Sequence, residues 1–434
     1  MRRLLRHAAF LATLSCAAVQ ASTAPEATAA CADDLSFCDG RCVDRQSHRK
    51  NCGECGNACA PGLSCESGRC ICPKLKESSC SNACVDTHAD PANCGACGVA
   101  CPSGEVCRDS RCDCGDGARC KGACVSLATD VSNCGACGSN CGSHATCHDG
   151  RCLVTLAETE DTGALAVIGD FVYWQSGNAL LRVSVQGGPV ARVTTSALGP
   201  PGQMAFDSAN LYWTIPKVDA IAMAPIAGGP STVLASNLGP LKGGIAVDAT
   251  SVYFATRSSQ LIDTIFAVPL RGGAPRAVFA TKGHVLSLAA DPRHLFWAES
   301  YGVTDGSISH TSAAGAATAL VTNVTDLRAI AVRGQDVFWT AADTFAKAPI
   351  GGGRVTALAT TTGIRPTAAP AVGARSIYWA EYGRGGSQIK RVSIEGGVPT
   401  ILFTQQHFAV YGLVVDGASL YILTGDALLQ LTPV

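Results

Sequence analysis

One slot recurs through the larger part of this chain and constrains its fold more than any other feature. Tyr173-Trp174, Tyr212-Trp213, Tyr253-Phe254, Phe296-Trp297, Phe338-Trp339, Tyr378-Trp379 and Tyr421-Ile422 follow one another at intervals of 39, 41, 43, 42, 40 and 43 residues. All five tryptophans of the protein occupy this slot. Core aromatics scattered by chance would not keep such a period, whereas β-propeller blades of four short strands do. Residues 243–280 read as one blade: "GIAVD" innermost, then "SVYFAT", "TIFAVPL" and "RAVFAT". Neighbouring residues on a strand point to opposite faces, so each aromatic pair is expected to pack against the blades on both sides. An aromatic sugar-binding platform is the competing reading, and the single recurring position argues for packing.

Between the third and fourth strands a double glycine returns at Gly187-Gly188, Gly228-Gly229, Gly272-Gly273, Gly352-Gly353 and Gly396-Gly397, with Gly315-Ala316 as a weaker copy. Positive-φ hairpin turns are expected there. The chain stops at "ALLQLTPV" (427–434), a third strand without a fourth, while "CLVTLAET" (152–159) has the outer-strand pattern without a blade of its own. An N-terminal strand that completes the last blade removes the free edges of the ring. The expected fold class is therefore all-β: a seven-bladed propeller over 153–434, preceded by small disulfide-rich modules.

The modules are read from cysteine spacing. Residues 31–70, 72–112 and 114–152 each carry eight cysteines, and after a variable first gap the steps are 4, 10, 3, 4, 6 and 5 in every copy. The set is Cys31, Cys38, Cys42, Cys52, Cys55, Cys59, Cys65 and Cys70; then Cys72, Cys80, Cys84, Cys94, Cys97, Cys101, Cys107 and Cys112; then Cys114, Cys120, Cys124, Cys134, Cys137, Cys141, Cys147 and Cys152. Phe37 is the only Phe, Tyr or Trp between residues 31 and 152, so an apolar core cannot hold forty-residue units and covalent bridges must. Eight cysteines permit 105 pairings, and spacing alone leaves them open. Zinc on the CxxC pairs and a redox dithiol at "CGEC" or "CGAC" are the rivals. An exported chain with an even count favours disulfides. Asn51, Asn93 and Asn133 before each Cys-Gly-x-Cys-Gly suit a tight turn.

The segments "CVD…NCGECGNAC…GLSCESGRC", "CVDTHADPANCGACGVACPSGEVCRDSRC" and "CVSLATDVSNCGACGSNC" resemble the stigma-specific Cys-rich (Stig1-like) family and its tandem bacterial relatives. That resemblance covers 31–152 and implies an extracellular interaction element without enzymatic residues. The propeller repeats, with an Asp five residues before the aromatic pair at Asp207, Asp248, Asp291 and Asp416, resemble YWTD- and NHL-type propellers. The fourth YWTD position is never Asp here. These four aspartates read as caps of inter-strand turns, with a calcium role as the alternative; otherwise no cofactor and no metal site is indicated.

Arg2, Arg3 and Arg6, the apolar stretch Ala8–Val19 and Val19-Gln20-Ala21 read as a signal peptide over 1–21, followed by a short linker over 22–30. Lipidation at Cys16 is a rival, although "TLS" before it is a poor lipobox. The apolar run is short for a membrane span. A net charge of −1 gives no footing for nucleic acid or an anionic membrane.

No nucleophile elbow, P-loop, HExxH or EF-hand loop occurs, so enzyme status is left open and no catalytic residue is assigned. Three loops between second and third strands are long and polar-aromatic: 255–264, 298–307 and 380–388. They are expected to gather over the central channel, with Arg257, Glu299, Tyr301, Asp305, Glu381, Tyr382 and Arg384 as candidate ligand contacts. His284 and His407 read as packed or solvated loop histidines. The reading is a secreted or cell-surface binding protein, its propeller face taking an extracellular protein or glycan and its disulfide-rich arm a further interaction element. The alternative is an extracellular propeller lyase or hydrolase acting on a polysaccharide or lactone, with Glu299, Glu381 and His284 as first suspects.

Overall fold

The computed structural model describes residues 31–434 apart from 75, 161, 258–261, 303, 313–315, 343, 361–369, 384–385, 406–408 and 434. The signal-peptide, linker and Cys16 expectations, His407 and Arg384 thus lie outside the described residues. The chain forms two compact units that divide after Gly115. The first holds two cysteine modules; the second, from Asp116, holds the third module together with the propeller.

The propeller has seven blades. Six are four-stranded sheets in sequence order, blade 1 over residues 162–195, blade 2 over 204–235, blade 3 over 241–280, blade 4 over 284–324, blade 5 over 327–360 and blade 6 over 371–405. Blade 7 takes its inner three strands from Val410–Asp416, Ser419–Thr424 and Ala427–Thr432, and its outer strand from Arg151–Glu158. The closing pair is antiparallel, with Cys152 opposite Thr432, Val154 opposite Gln430 and Glu158 opposite Ala427.

The aromatic slot does what its period implies. Trp174 packs with Leu156, Leu428 and Tyr421 of blade 7, whereas Tyr173 packs with Leu211 and Trp213 of blade 2. The alternation continues around the ring. Tyr212 meets Phe254, Tyr253 meets Trp297, Phe296 meets Trp339, Phe338 meets Trp379, and Tyr378 meets Ile422 in successive interface clusters. The first residue of each pair faces the next blade and the second faces the preceding one. Each such side chain buried contributes about 1.5–3 kcal/mol by removal from water.

The double glycines lie in the expected positive-φ turns between third and fourth strands, within connections longer than the glycine pair. Six residues separate Pro269 from Arg276, and a β-turn closed by the Gly272 N–H on the Pro269 carbonyl comes first. Both glycines do have positive φ, +84° and +134°. Their second role is between blades: the Gly229 N–H donates to the Val193 carbonyl of blade 1, and the Gly397 N–H to the Leu358 carbonyl of blade 5. A hairpin rule sees only its own two strands, so this clasp on the previous outer strand was not legible.

All 24 module cysteines are disulfide-bonded, which sets the zinc and dithiol readings aside. Numbered within a module, the pairs are first to third, second to fifth, fourth to seventh and sixth to eighth, as in Cys31–Cys42, Cys38–Cys55, Cys52–Cys65 and Cys59–Cys70. The second module repeats the pattern, and the third shows it at Cys120–Cys137, Cys134–Cys147 and Cys141–Cys152. Each module has two small hairpins, such as Ser36–Cys38 with Arg41–Val43 and Ser64–Glu66 with Arg69–Ile71. The expected asparagine turn is present: Asn51, Asn93 and Asn133 accept the N–H of Gly56, Gly98 and Gly138 through Oδ1.

Candidate functional site

A cavity of about 730 Å³ lies on the propeller axis, within the range of small-molecule sites. Inner strands of blades 1, 2, 3, 4, 5 and 7 line it through Gly163–Leu165, Gly202–Met204, Leu241–Ile245, Leu286–Leu288, Ala329 and Tyr411–Leu413. Gln175, Thr214 and Pro216, at the ends of second strands, complete its rim. These are the strand ends that carry the loops from second to third strand, so the cavity opens on the expected face. Glycine makes room there: a Cβ on Gly163 would stand 1.8 Å from Gln175 Oε1. The polar lining comes from Gln175, Gln203, Lys242, Ser287 and the half-exposed Tyr411. None was singled out from the sequence, because inner-strand positions read as core and Gln175 as part of its second strand.

The sequence candidates lie elsewhere. Arg257 is held by the buried Asp263, with Nε 2.9 Å from Oδ1, and Asp263 also accepts the Val285 N–H. His284 stands beside the same carboxylate, Nδ1 at 3.9 Å. Glu381 is 2% exposed; Oε1 accepts the Trp379 indole N–H at 2.7 Å and Oε2 the Lys390 ammonium at 2.6 Å. The Tyr382 side chain and Arg384 lie outside the described residues.

Glu299, Tyr301 and Asp305 do come together. They line a crevice of about 490 Å³ between the outer strand of blade 3 and blade 4, along with Phe279, Thr281, Lys282, Trp297, Ser307 and Ser309. Glu299 is 7% exposed and accepts the Lys282 backbone N–H and the Ser307 hydroxyl, each at 3.3 Å. Burial, then the Glu299 charge, pushes the Tyr301 hydroxyl pKa up.

The four aspartates were expected to cap turns, and three show it. Asp207 Oδ1 accepts the N–H groups of Ala209 and Asn210, Asp248 those of Thr250 and Ser251, and Asp291 those of Arg293 and His294. Asp207 and Asp248 also accept the hydroxyls of Tyr212 and Tyr253, tying the turn to the aromatic slot.

Comparison of the sequence with protein-family models and with curated proteins gives no match. Solved structures do resemble it. Selenomethionine-substituted virginiamycin B lyase from Staphylococcus aureus is 14% identical with a TM-score of 0.53, over 65% of this chain and 99% of that one. A catalytically inactive form of that lyase with quinupristin is 15% identical with a TM-score of 0.51, over the same shares. A nidogen/laminin complex is 20% identical with a TM-score of 0.38, over 44% of this chain and 77% of that one. At these identities the likeness to the two lyase structures is one of fold.

Proposed function

We propose that the protein is an extracellular binding protein whose axial cavity takes a polar ligand, a glycan or a peptide segment of another extracellular protein. The carrying observation is the lining: amides, hydroxyls, one ammonium and glycine-exposed backbone, a set suited to hydrogen-bonded recognition. Twelve disulfides in short modules support an oxidising, extracellular setting. Among the described residues no helix is long and apolar enough to cross a membrane. The modules, read as Stig1-like, supply the second interaction element. Their last strand becomes the outer strand of blade 7, at the end of the blade that carries the double-glycine turns. In the unit from Asp116 the third module thereby leaves the opposite, cavity-bearing face free.

A lyase reading draws on the fold likeness above, and a fold hosts many functions. One experiment separates the two: fragment 114–434, which keeps every cysteine of the third module, is presented to a glycan array and a panel of extracellular proteins, then incubated with lactones and polysaccharides. Binding that Lys242→Ala and Tyr411→Ala each weaken, without turnover, supports the proposal. Turnover, or binding indifferent to both substitutions, overturns it.

A further inference from the structure

Two blades carry the same three residues at the same place, and only one of them completes the arrangement. In blade 6 Trp379-Ala380-Glu381 lies on the second strand, and Lys390 faces Trp379 from the third. The Glu381 carboxylate is saturated there by the indole N–H on one oxygen and the ammonium on the other. Blade 4 has Trp297-Ala298-Glu299 in the same register, but the residue facing Trp297 is Ser309. Where blade 6 holds an ammonium, blade 4 has a crevice of about 490 Å³ lined by Trp297, Glu299 and Ser309.

The consequences are visible in the partners. Trp297 is 3% exposed and its Nε1, like those of Trp174 and Trp213, has no hydrogen-bond partner among the described residues; blade 4 differs in having a carboxylate two residues on. Glu299 forms no ion pair among the described residues; its bonds from the Lys282 N–H and the Ser307 hydroxyl are long for a carboxylate, and the remaining polar neighbour is the neutral Tyr301 hydroxyl, which supplies no charge. A carboxylate so far out of water ordinarily needs a cation or several short donors. Lys282 contributes its backbone N–H, while its side chain is exposed at the crevice. The other five blades carry Ser176, Ile215, Thr256, Ala341 and Thr424 at the glutamate position, so the question arises in this one crevice alone.

We propose that the blade 4 crevice binds an alkyl primary ammonium group, entering where Lys390 sits in blade 6. On binding, Glu299 takes the posture of Glu381, one oxygen on the guest ammonium and the other on the Trp297 indole N–H. Phe279, stacked on Trp297 with ring centroids 5.2 Å apart, forms the wall for the alkyl stem. The same chemistry is offered by a lysine side chain of a protein partner and by a small free amine. The site is apart from the axial cavity and stands whatever that cavity binds.

The test titrates ¹⁵N-labelled protein with Nα-acetyl-lysine methylamide, n-butylamine and Nα-acetyl-norleucine methylamide, which has no ammonium, following the Trp297 indole N–H resonance, assigned by Trp297→Phe. The lysine analogue and n-butylamine should shift it downfield saturably, and the norleucine compound should not. A lysine analogue that binds more than tenfold tighter than n-butylamine marks a protein side chain as the guest; parity marks a free amine. Ser309→Lys should fill the crevice from within, shift the same resonance without any additive, raise the melting temperature and abolish the titration. Should Ser309→Lys fail to fold, Glu299→Gln must weaken binding at least tenfold, about 1.4 kcal/mol. Equal binding of the norleucine compound, no shift with either amine, or binding indifferent to both substitutions overturns the proposal.

Discussion

Cys152 is disulfide-bonded to Cys141 inside the third module and stands directly opposite Thr432 in the seam that closes the propeller. One strand therefore belongs to both: its first residues pair with the module strand Ala145–His148, and Cys152 to Glu158 pair with Ala427–Thr432. His148 extends the contact, its ring edge-on to Phe403 of blade 6 at 5.3 Å. Ring closure and module attachment are one structural event, which is why the compact unit begins at Asp116.

Removing the shared strand should open the ring. A fragment starting at residue 161 loses Leu156 and Ala157 from the cluster with Trp174 and Tyr421, and it bares the backbone edge of Ala427–Thr432. We expect it to aggregate or melt far below fragment 114–434 in differential scanning calorimetry. Equal melting would refute closure by this strand.

The staple on that strand should matter to the propeller and not only to the module. Replacing Cys141 and Cys152 together by serine should lower unfolding free energy by about 2–4 kcal/mol, the ordinary worth of a disulfide. The blade 7 amides should lose hydrogen-exchange protection first. Thiol titration of the denatured, unreduced protein should meanwhile find none of the 24 module cysteines free.

Much of this frame was legible because it rests on periodicities. The interval of the aromatic slot marks blades, and the alternation of side chains makes Tyr173 and Trp174 face different neighbours whatever the loops do. The orphan strand at either end needed only a count. The candidate site was less legible, since Arg257 and Glu381 read as exposed loop residues while Asp263 and Lys390, their partners, look unremarkable in a strand. Disulfide pairing was not legible at all, because spacing does not fix which sulfurs meet. The channel lining escaped for a different reason: Gln175 reaches the axis only because Gly163 on the neighbouring strand has no side chain.

The clasp between blades should be sensitive at Gly228. Its φ is +104°, and a Cβ there would stand 3.4 Å from the Val193 carbonyl oxygen of blade 1. Gly228→Val combines backbone strain of about 1–3 kcal/mol with displacement of that strand. A lower urea midpoint with an unchanged m-value is expected; a neutral result would show that the turn does not hold the two blades together.

The closed network in blade 6 should behave as a buried ion pair. Among the described residues Lys390→Met leaves Glu381 buried with the Trp379 N–H as its one remaining donor, and breaking such a pair from one side costs about 3–5 kcal/mol. Adding Glu381→Gln should restore most of the loss, because an amide needs no counter-charge. If the double variant is no more stable than Lys390→Met, the pair is not what holds the site.

Acid and alkali should act on different turns of the same design. At Asp207 burial alone would raise the carboxyl, but the bonds from Tyr212, Ala209 and Asn210 outweigh it and hold the pKa below 3.8. A depressed carboxyl contributes stability that is fully present above the unfolded value and is lost as pH falls through the folded one. Asp207→Asn should therefore melt lower than the parent protein at neutral pH, and the gap should close in acid below pH 3.8. Tyr253 works in the opposite sense. Burial first, and then its bond to the Asp248 carboxylate, pushes its hydroxyl from 10.0 up to about 12. Its contribution is complete below the unfolded value and disappears as pH rises through about 12. Tyr253→Phe should lack that alkaline loss while keeping the acid limb. Melting curves taken across both ranges check each sign, and an Asp207→Asn gap that widens on acidification would show that its carboxylate does not stabilise the turn.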